Sequence, residues 1–494
     1  MIFISKNRFH FGSKLHIMTK VYYRGAVSLP LRFVFSGGVH PKGNKNTDDF
    51  PTTRLDSFSS VEILLQQHVG PPCVCAVKKG DHVHVGQLIG RADHPMAVPI
   101  HASVSGEVTD VRFVISATGD PVEAVTITSD GLYTVDPSCV PPVINSREDF
   151  LHMIRTSGLV GLGGASFPVH IKLNPPKGKE PDVLLVNAAE CEPYITSDFR
   201  QICERPDEII DGILAVLQWL SIPNAIIGIE DNKPLGQEVL HHEISKREAA
   251  SNTHLPISLK SLKTLYPQGA EKMLIYSLTG RKVPPGKLPY DVRVLVMNVG
   301  TLRFIGEYLK NGIPLVRKSL TLDGSALNTP GNVNVPIGAR IPDVIAAAGG
   351  TKEEPSKIIM GGAMMGVSLD RIECGIIKAN NAILVFGSKE ARIPAESPCI
   401  HCGRCVTACP MHLMPTGIDQ SARRLDTEGL AAFHVLDCIE CGCCTYSCPA
   451  KRYLTQSIRN GKTLLRIELA RAAEAEKIRA SESNQAAGKE DRAV

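Results

Sequence analysis

The chain has 494 residues, of which 43% are hydrophobic and 21% charged, a composition typical of a globular protein with several domains. The formal net charge is only +4 and there is no dense Lys or Arg block, so nucleic-acid binding has no electrostatic support. The best apolar stretch, IIDGILAVLQWL from Ile209, is interrupted by Asp211 and falls short of the about 20 residues that span a bilayer, so it predicts a packed helix.

The first 50 residues are rich in turn formers, as in SGGVHPKGNKN at 36–46. Residues 1–18 have scattered charges and lack an apolar core, so they do not have the pattern of a secretory signal. The sequence leaves open whether Met1 or Met18 is the true start. We expect a cytosolic chain whose 15 cysteines stay reduced and whose contact with any membrane is peripheral.

Residues 51–145 predict a small β domain, because short β-like runs alternate with Gly and Asp turns. The pattern GD-V-GQ-IG, followed by S-SG-V, resembles the barrel-sandwich domains that carry lipoyl or biotinyl groups. Those carriers place a modified lysine at a hairpin tip, whereas the tip here, DHPMAV at 93–98, has no lysine. The domain is therefore interpreted as structural.

Residues 146–311 have the pattern of an α/β domain. DVLLVNAA at 182–189 and VRVLVMNVG at 292–300 are almost continuously apolar, as buried parallel strands are, and EIIDGILAVLQWL between them predicts an amphipathic helix. Ligands of such sheets bind beyond the carboxyl ends of the strands, where NAAECEP and NVGTL stand here. We expect a Rossmann-like cofactor domain.

Residues 312–390 are β-rich again, with a hairpin-like start, one helix and a Gly pair, and predict a β-grasp domain. The cysteine-rich region occupies 391–460, and 461–494 begins as helix and fades into a polar tail that is expected to be disordered. The predicted fold class is a multidomain α/β plus β protein. Its expected parts are a barrel-sandwich hybrid, a Rossmann-like domain, a β-grasp domain and a helical ferredoxin domain.

Nine cysteines lie between Cys399 and Cys448, in the two runs CIHCGRCVTACP and CIECGCCTYSCP. Their C-x2-C-x2-C-x3-C-P spacing is that of bacterial ferredoxins with [4Fe–4S] clusters. Three thiolates on a tight loop reach three irons of one cube, and the fourth cysteine is expected to begin a helix, where the following proline is tolerated. A zinc site is the alternative, but zinc ribbons use two well-separated C-x2-C pairs and leave the third close thiol unexplained.

Cys443 breaks the interval and is interpreted as a buried bystander. In two-cluster ferredoxins the fourth cysteine of each run binds the other cluster, so we expect Cys448 to complete the first set and Cys409 the second. The helical stretch at 421–437 would then run antiparallel to the helix after Cys448. Because each cluster carries one electron at a time, the chain should also hold a two-electron site. The expected ligands are Cys399, Cys402, Cys405, Cys409, Cys438, Cys441, Cys444 and Cys448.

GLVGLGGASFPVHIKL at 158–173 has four glycines in its first seven residues. Such a loop lets the backbone lie against a planar or phosphorylated ligand, and a tight structural turn is the alternative. VNAAECEPYITSDFR follows at 186–200, with Glu190 and Glu192 at a strand end. These carboxylates suit the hydroxyls of a ribose, and a solvated acidic loop is the alternative.

Four segments resemble, in order, the FMN and NADH signatures of the flavoprotein subunit of respiratory complex I: GLGGASFP, NAAECEP, YPQGAEKMLIYSLTG at 266–280, and NVGTL. With the barrel-sandwich start, ECEPYIT, the β-grasp domain and two ferredoxin runs, residues 35–460 resemble the RnfC family, whose members belong to the Rnf ion-translocating electron transport complex. The resemblance implies an SLBB-like β-grasp domain, FMN in the glycine-rich pocket and NADH stacked on it.

The resemblance also implies cofactor-binding residues, and it assigns no catalytic side chain. Glu190 joins the set because of its place at the strand end. The complex I signatures differ at four positions, with Arg at Leu162, Gly at Ser166, Asp at Ala189 and Glu at Gly300. The changes at Leu162 and Ala189 bear on the dinucleotide site more than on the clusters. The implied cofactor-binding residues are Gly161, Gly163, Gly164, Phe167, Lys172, Asn187, Glu190, Glu192, Glu271, Asn298 and Thr301.

The function that the resemblance implies is electron transfer in an ion-translocating oxidoreductase, through FMN and two [4Fe–4S] clusters, with NADH as substrate or reduced ferredoxin in the reverse direction. The implied place is the cytoplasmic side of the cell membrane. The implied partners are the membrane-embedded proteins of the complex, NAD(H) and ferredoxin, but not nucleic acid. Two alternatives remain: a soluble cobalamin reductase of similar architecture, and a cluster-bearing scaffold without flavin chemistry.

Overall fold

The computed structural model describes residues 33–490, with side chains as far as residue 479. Most of the N-terminal segment predicted at 1–50, including both candidate starts, Met1 and Met18, lies outside the described residues. Further along this segment, the backbone of Val39 pairs with that of Tyr266 in both directions, at 2.8 and 3.0 Å. The N-terminal segment therefore packs against Tyr266, which lies far from it in the chain.

The strand-rich first part agrees with the predicted barrel sandwich. Its two sheets have the strand orders β2-β8-β7-β4 and β3-β5-β6, and their buried faces share a core of small branched side chains such as Val61, Ile89 and Val125. The hairpin tip at 93–98 lies against the next part of the chain, because Arg155 donates hydrogen bonds to the carbonyls of Ala92 and His94. The strands are β1 (Thr53–Arg54), β2 (Ser60–Leu64), β3 (Val74–Cys75), β4 (His82–Val83), β5 (Leu88–Arg91), β6 (Ile100–His101), β7 (Gly106–Ile115) and β8 (Pro121–Ser129).

The α/β part is built on a four-stranded parallel sheet with the order β11-β10-β9-β12. Both predicted strands are present, but β12 ends at Asn298, because the Asn298 side chain caps the helix that starts at Val299. Between them lie the predicted helix and, in addition, two strands and three α-helices that were not predicted. The elements are α1 (Arg147–Thr156), α2 (Val169–Lys172), β9 (Val183–Ala188), α3 (Ser197–Glu204), α4 (Pro206–Leu220), β10 (Ala225–Glu230), α5 (Pro234–Ser251), β11 (Ile257–Leu262), α6 (Glu271–Thr279), β12 (Val294–Asn298) and α7 (Val299–Asn311).

The next part has a mixed six-stranded sheet and one short helix, as the β-grasp prediction requires. The strand order is β1-β14-β13-β17-β15-β16, so β1 from the start of the described chain forms one edge. Ile341, Val344 and Ile345 of the helix pack onto the sheet. The elements are β13 (Arg317–Asp323), β14 (Gly331–Pro336), α8 (Ile341–Ala347), β15 (Lys357–Met360), β16 (Val367–Ser368) and β17 (Ala382–Phe386).

The cysteine-rich part is helical, and both runs fold around a small core that includes Ile418, Leu430 and Ile458. A short helix lies inside each run, and longer helices follow the runs. The two helices that follow the first run, at 415–423 and 427–432, both pack against the helix after Cys448. The helices are α9 (Arg404–Thr407), α10 (Pro415–Arg423), α11 (Thr427–Ala432), α12 (Cys443–Ser447) and α13 (Leu454–Glu490).

Three local expectations for this part are wrong. The fourth cysteine of each run does not begin a helix, because His412 and Lys451 take positive φ values of 56° and 55° and turn the chain first. The stretch 421–437 is not one helix: Leu425 has a φ of 57°, and the side chain of Asp426 then caps α11. α13 continues to Glu490 where a disordered tail was expected, since its Ala, Glu, Lys and Arg have high helix propensity.

Within residues 33–490, no helix is both long and apolar enough to cross a bilayer.

Candidate functional site

The strand order of the parallel sheet changes direction between β9 and β12, and the switch point at their carboxyl ends is here called the crevice. The chain builds β9, adds β10 and β11 on one side, and then returns to place β12 on the other side of β9. Such a switch point leaves a gap between the connections at the carboxyl ends of the two strands, which is where open α/β sheets bind ligands. Asn187 and Asn298 are register partners at these two ends, so both predicted residues lie at the crevice.

The glycine-rich segment lies over this crevice, against the N-terminus of α7. The Leu162 N–H donates to the Thr301 hydroxyl at 3.0 Å, and a Cβ at Gly163 would lie 3.3 Å from the Asn298 side chain. The Asn298 side chain in turn accepts hydrogen bonds from the N–H groups of Gly300 and Thr301, at 2.9 and 3.3 Å. Three of the predicted residues, Gly163, Asn298 and Thr301, are thus brought together on one surface.

The turn of this segment fits a bound flavin nucleotide. Gly161 N–H donates to the Phe167 carbonyl at 2.9 Å and closes a loop whose tip, including Gly163 and Gly164, is exposed backbone. Gly164 has a φ of 110°, and nothing lies within 4 Å of a Cβ added there. The buried hydroxyl of Ser166 has no hydrogen-bond partner among the described residues, so it is available to a ligand or to a water molecule.

Three of the four departures from the complex I signatures, at Leu162, Ser166 and Gly300, have a local structural context. Ser166 has a φ of 49°, a conformation that glycine adopts without strain, so a Gly or a short polar residue suits this position. Leu162 is buried in the core of the α/β part. At Gly300 a Cβ would lie 3.1 Å from the Asn298 amide oxygen and 3.2 Å from Asp198, so a larger residue requires a different arrangement of both.

Glu190 is held by protein groups rather than by water. Its carboxylate accepts hydrogen bonds from the N–H of Asp198 at 2.6 Å and from that of Phe199 at 3.3 Å, at the start of α3. Burial raises the pKa of Glu190 to about 7, against the opposing effect of Lys45. The half-buried Lys45 donates from its ammonium to the carbonyls of Glu190 and Glu192, at 2.8 and 2.9 Å.

Glu192 lies on the side of the acidic loop that faces the β-grasp and cysteine-rich parts. One carboxylate oxygen accepts from the Met364 N–H at 3.0 Å, and the other lies 3.4 Å from the Tyr266 hydroxyl. Burial raises the pKa of Glu192. The alternative of a solvated acidic loop therefore does not agree with the contacts of either glutamate.

A third predicted segment closes the crevice. The Asn187 amide donates to the Gly269 carbonyl at 2.8 Å, and the Gly269 N–H donates to the Cys191 sulfur at 3.3 Å. Glu271, at the start of α6, lies 2.7 Å from the Lys172 ammonium. The glycine-rich, acidic and 266–271 segments thus meet in one place, although Lys172 and Glu271 are 99 positions apart in the chain.

The eight predicted cluster ligands surround two cavities, and the last cysteine of each run is exchanged. One cavity, here called the inner cavity, is lined by Cys409 together with Cys438, Cys441 and Cys444. The other, the outer cavity, is lined by Cys448 together with the first three cysteines of the first run, Cys399, Cys402 and Cys405. Four thiols around each cavity are the donor set that a [4Fe–4S] cluster requires.

The two runs repeat each other in backbone conformation. The residue before the second cysteine has a positive φ in both, 53° at His401 and 56° at Glu440, and its N–H donates to the first cysteine's sulfur, at 3.4 and 3.3 Å. Hydrogen bonds to ligand sulfurs stabilise the thiolate and tune cluster potentials. Cys443 is fully buried and lines the inner cavity beside the four expected ligands, packing near Tyr266.

Sequence reasoning missed several residues that support the crevice. Lys318 is buried, and its ammonium lies 3.5 Å from the Leu162 carbonyl of the glycine-rich segment. Asp198 accepts a hydrogen bond from the Asn298 amide at 2.7 Å. The buried Lys233 donates to the Ala189 carbonyl at 2.7 Å. No local pattern indicates these roles, because lysine and aspartate are usually exposed.

Four family models match consecutive parts of the chain. The RnfC barrel sandwich hybrid domain matches residues 33–132, and the Nuo51 FMN-binding domain matches 154–307. The SLBB domain matches 320–368, and the 4Fe-4S dicluster domain matches 398–451. The last of these supports clusters over the zinc alternative for the two cysteine runs.

Curated relatives match most of the chain. The C subunit of the Na(+)-translocating ferredoxin:NAD(+) oxidoreductase complex of Acetobacterium woodii is 42% identical over 87% of this chain and 96% of its own length. The C subunit of the proton-translocating ferredoxin:NAD(+) oxidoreductase complex of Clostridium ljungdahlii is 42% identical over 86% of this chain and 92% of its own length. The C subunit of the ion-translocating oxidoreductase complex of Rhodobacter capsulatus is 34% identical, covering 81% and 77%.

Proposed function

The chain belongs to the RnfC family, the C subunits of ion-translocating ferredoxin:NAD(+) oxidoreductase complexes, and from this premise we propose how its parts share the work. It is an electron-transfer subunit of such a complex, with FMN and two [4Fe–4S] clusters as cofactors and NAD(H) as substrate. FMN occupies the crevice between the glycine-rich segment and the N-terminus of α7, and the clusters occupy the inner and outer cavities.

FMN, when bound, takes up the two electrons of NADH together and releases them one at a time. The residues of the chain bind and orient. The exposed backbone around Gly163 and Gly164 allows close approach of a planar ring, and the Ser166 hydroxyl offers an unused hydrogen-bonding group. Lys172 supplies a positive charge at the end of the same segment, where it suits the flavin or its phosphate.

The cysteine-rich part provides two one-electron sites, one for each electron of NADH. NADH yields NAD⁺, one proton and two electrons, and two clusters that accept one electron each balance this exchange. The same equation runs in reverse when reduced ferredoxin supplies the electrons. In both directions the chain holds the cofactors at fixed positions and keeps the inner cavity, whose four thiols are half-buried or buried, away from water.

The observation that carries the proposal is the convergence of two independent sets of residues. Gly163, Asn298 and Thr301 meet at the switch point of the sheet, while eight thiols from two runs surround two cavities in the exchanged arrangement. Family membership decides against the cobalamin reductase alternative, and the match to an FMN-binding domain decides against a scaffold without flavin chemistry.

We place the chain on the cytoplasmic side of the cell membrane, bound peripherally to membrane-embedded partners. NAD(H) and ferredoxin are cytoplasmic reactants, and no helix within residues 33–490 offers a span. Washing membranes that contain the complete complex with a chaotrope should release this chain and leave the embedded proteins behind. Retention of the chain after such a wash contradicts peripheral binding.

The proposed function is tested by titrating anaerobically purified full-length protein, loaded with FMN, with NADH. Bleaching of the flavin absorbance should be followed by electron paramagnetic resonance signals of two reduced [4Fe–4S] clusters, and chemical analysis should give about eight irons and eight sulfides per chain. Zinc without acid-labile sulfide, or a flavin that NADH does not reduce, contradicts the proposal.

A further inference from the structure

Tyr266 joins the cofactor crevice to the cysteine-rich part. Its side chain is 3% exposed, and its hydroxyl donates a hydrogen bond to the Cys441 carbonyl at 2.8 Å. Cys441 is one of the four thiols of the inner cavity. The ring packs in a small apolar cluster with Val39, Ala408 and the buried Cys443.

The same hydroxyl lies 3.4 Å from the carboxylate of Glu192. The Tyr266 hydroxyl therefore contacts both the acidic loop of the crevice, at Glu192, and the loop that contains Cys441. Three residues further along the chain, Gly269 contacts both Asn187 and Cys191. The segment from Tyr266 to Gly269 thus links the inner cavity to the carboxyl end of β9 through hydrogen bonds at both of its ends.

A second contact runs beside the first. Glu192 accepts a hydrogen bond from the Met364 N–H, and a Cβ at Gly442, next to Cys441, would lie 2.9 Å from the Met364 carbonyl. A Cβ at Gly362 would lie 2.5 Å from the Glu192 carboxylate, so this loop approaches Glu192 as closely as glycine allows. The inner cavity and the acidic loop are therefore packed together without space for water between Glu192 and Met364.

The outer cavity has a different surrounding. Its lining residues all come from 399–454, within the cysteine-rich part itself, and Cys402 is exposed. Cys441 and Cys443 pack next to Tyr266, and Gly442 lies next to Met364. All three residues line the inner cavity. The inner cavity is thus the one that directly adjoins the crevice.

We propose that Tyr266 is a positioning residue for electron transfer, and that its hydroxyl holds the Cys441 loop against the acidic loop so that the inner cluster is the first to exchange electrons with the flavin. This inference rests on the proposed function. With the cofactors bound, Cys409, Cys438, Cys441 and Cys444 would hold the cluster nearer the crevice, and the two clusters would each take one of the two electrons that NADH gives up as it yields NAD⁺ and one proton.

The phenol hydroxyl, rather than the ring, carries this role. A phenylalanine at this position keeps the ring packing around Val39 and Ala408 but removes the only donor that the side chain has. The Cys441 carbonyl then loses its 2.8 Å hydrogen bond, and the loop between Cys441 and Cys444 is held less firmly. The crevice residues around Gly163 and Asn298 are not touched by this change.

The test compares wild-type protein with Tyr266→Phe, using stopped-flow absorbance and freeze-quench electron paramagnetic resonance after mixing with NADH. The rate of flavin reduction by NADH is measured in the same experiment, and the rate of cluster reduction is expressed relative to it, because the Tyr266 hydroxyl also lies 3.4 Å from Glu192. Reduction of the clusters should slow about 2- to 12-fold, the range that corresponds to the net contribution of one hydrogen bond. The signal of the cluster bound by Cys441 should shift, and that of the outer cluster should not.

Tyr446→Phe is the matched control, because Tyr446 lies in the same cysteine run and is 53% exposed. It should leave both rates and both signals unchanged. Gly362→Ala is a second variant, which displaces the Glu192 carboxylate from its other side. Because Glu192 is itself a predicted NADH contact, its cluster reduction is compared with its own rate of flavin reduction, and relative to that rate it should be slowed in the same way. Iron and sulfide analysis establishes that each variant holds both clusters.

Two outcomes overturn the inference. The first is unchanged cluster reduction in both Tyr266→Phe and Gly362→Ala, and the second is a shift confined to the outer cluster. Failure of the proposed function looks different, because wild-type protein itself then shows no flavin reduction by NADH or no cluster signal.

Discussion

The ammonium group of Lys172 lies 2.7 Å from the carboxylate of Glu271 and joins the end of the glycine-rich segment to the start of α6. The two side chains are 27% and 40% exposed, so the pair itself contributes only about 0.2–1 kcal/mol to the free energy of unfolding. The position of the pair indicates a role in ligand binding rather than in stability. Both residues border the crevice in which we place FMN. Their ion pair fixes the position of the Lys172 ammonium and the Glu271 carboxylate at that border.

Lys172→Gln should weaken FMN binding, because it removes a charged hydrogen-bond donor from the crevice. Loss of one such bond costs about 1.5–3 kcal/mol, or roughly 10- to 150-fold in Kd. Fluorescence titration of flavin-free protein with FMN measures the effect. Lys177→Gln, at an exposed lysine in the same region, is the control. In a double-mutant cycle with Glu271→Gln, additive effects show that the pair does not act on FMN as a unit.

Glu192→Gln should raise the KM for NADH by roughly 10- to 150-fold if its carboxylate accepts hydrogen bonds from a ribose. Iron content should stay unchanged. Steady-state kinetics with an artificial electron acceptor give the KM, and Glu238→Gln on the exposed face of α5 serves as the control. If the KM does not change, the contacts of Glu192 with Met364 and Tyr266 are its whole role.

Local patterns made much of this architecture predictable. β9 and β12 are short apolar runs with an Asn at or near their ends, and a parallel strand buried on both faces has this pattern. The predicted cluster ligands follow from spacing alone, because three thiols on one tight loop can reach three irons of one cube, and their assignment stays a prediction. The residues of the glycine-rich segment were found by resemblance, and their cofactor contacts remain predictions.

Contacts between distant segments were not predictable. Tyr266 and Cys441 are 175 positions apart, and nothing near either residue indicates the other. Lys318 and Lys378 are almost fully buried, although a lysine in a sequence predicts an exposed side chain. The helix limits after each cysteine run also failed, because single residues with positive φ, such as His412, turn the chain before the helix starts.

Lys378 offers a test of packing between three parts of the chain. The residue is 1% exposed, and its ammonium donates to the carbonyls of Pro99 and Gly158, at 3.0 and 2.6 Å. Burial lowers the pKa of Lys378 from 10.5 to about 7. The folded protein thus releases this proton at lower pH than the unfolded chain does.

The free energy of unfolding should therefore gain a contribution as the pH rises from about 7 to about 10.5, and this contribution is lost as the pH falls back to 7. Lys378→Met lacks the titrating group, so its stability curve should miss this rise, although its stability is lower at every pH because two carbonyls lose their donor. Denaturant unfolding of wild-type and Lys378→Met protein across this pH range measures their free energies of unfolding. Parallel curves for the two proteins contradict the prediction.

The exchanged ligands make the sharpest prediction about the clusters. Cys409 lines the inner cavity although it belongs to the first run, and Cys448 lines the outer cavity although it belongs to the second. Cys409→Ser should therefore disturb the cluster bound by Cys438, Cys441 and Cys444 and leave the spectrum of the other cluster nearly intact. Cys402→Ser should do the reverse, because Cys402 lines the outer cavity.

The comparison needs the electron paramagnetic resonance spectra of both reduced variants beside the wild type, together with iron analysis. Cys203→Ser, at a half-buried cysteine outside both runs, should keep both spectra and is the control for loss of a thiol. Within the first run, Cys402 and Cys409 are only seven positions apart, so proximity in the chain predicts damage to the same cluster, whereas the two cavities predict damage to different ones. Damage to one and the same cluster by Cys409→Ser and Cys402→Ser rules out the exchange.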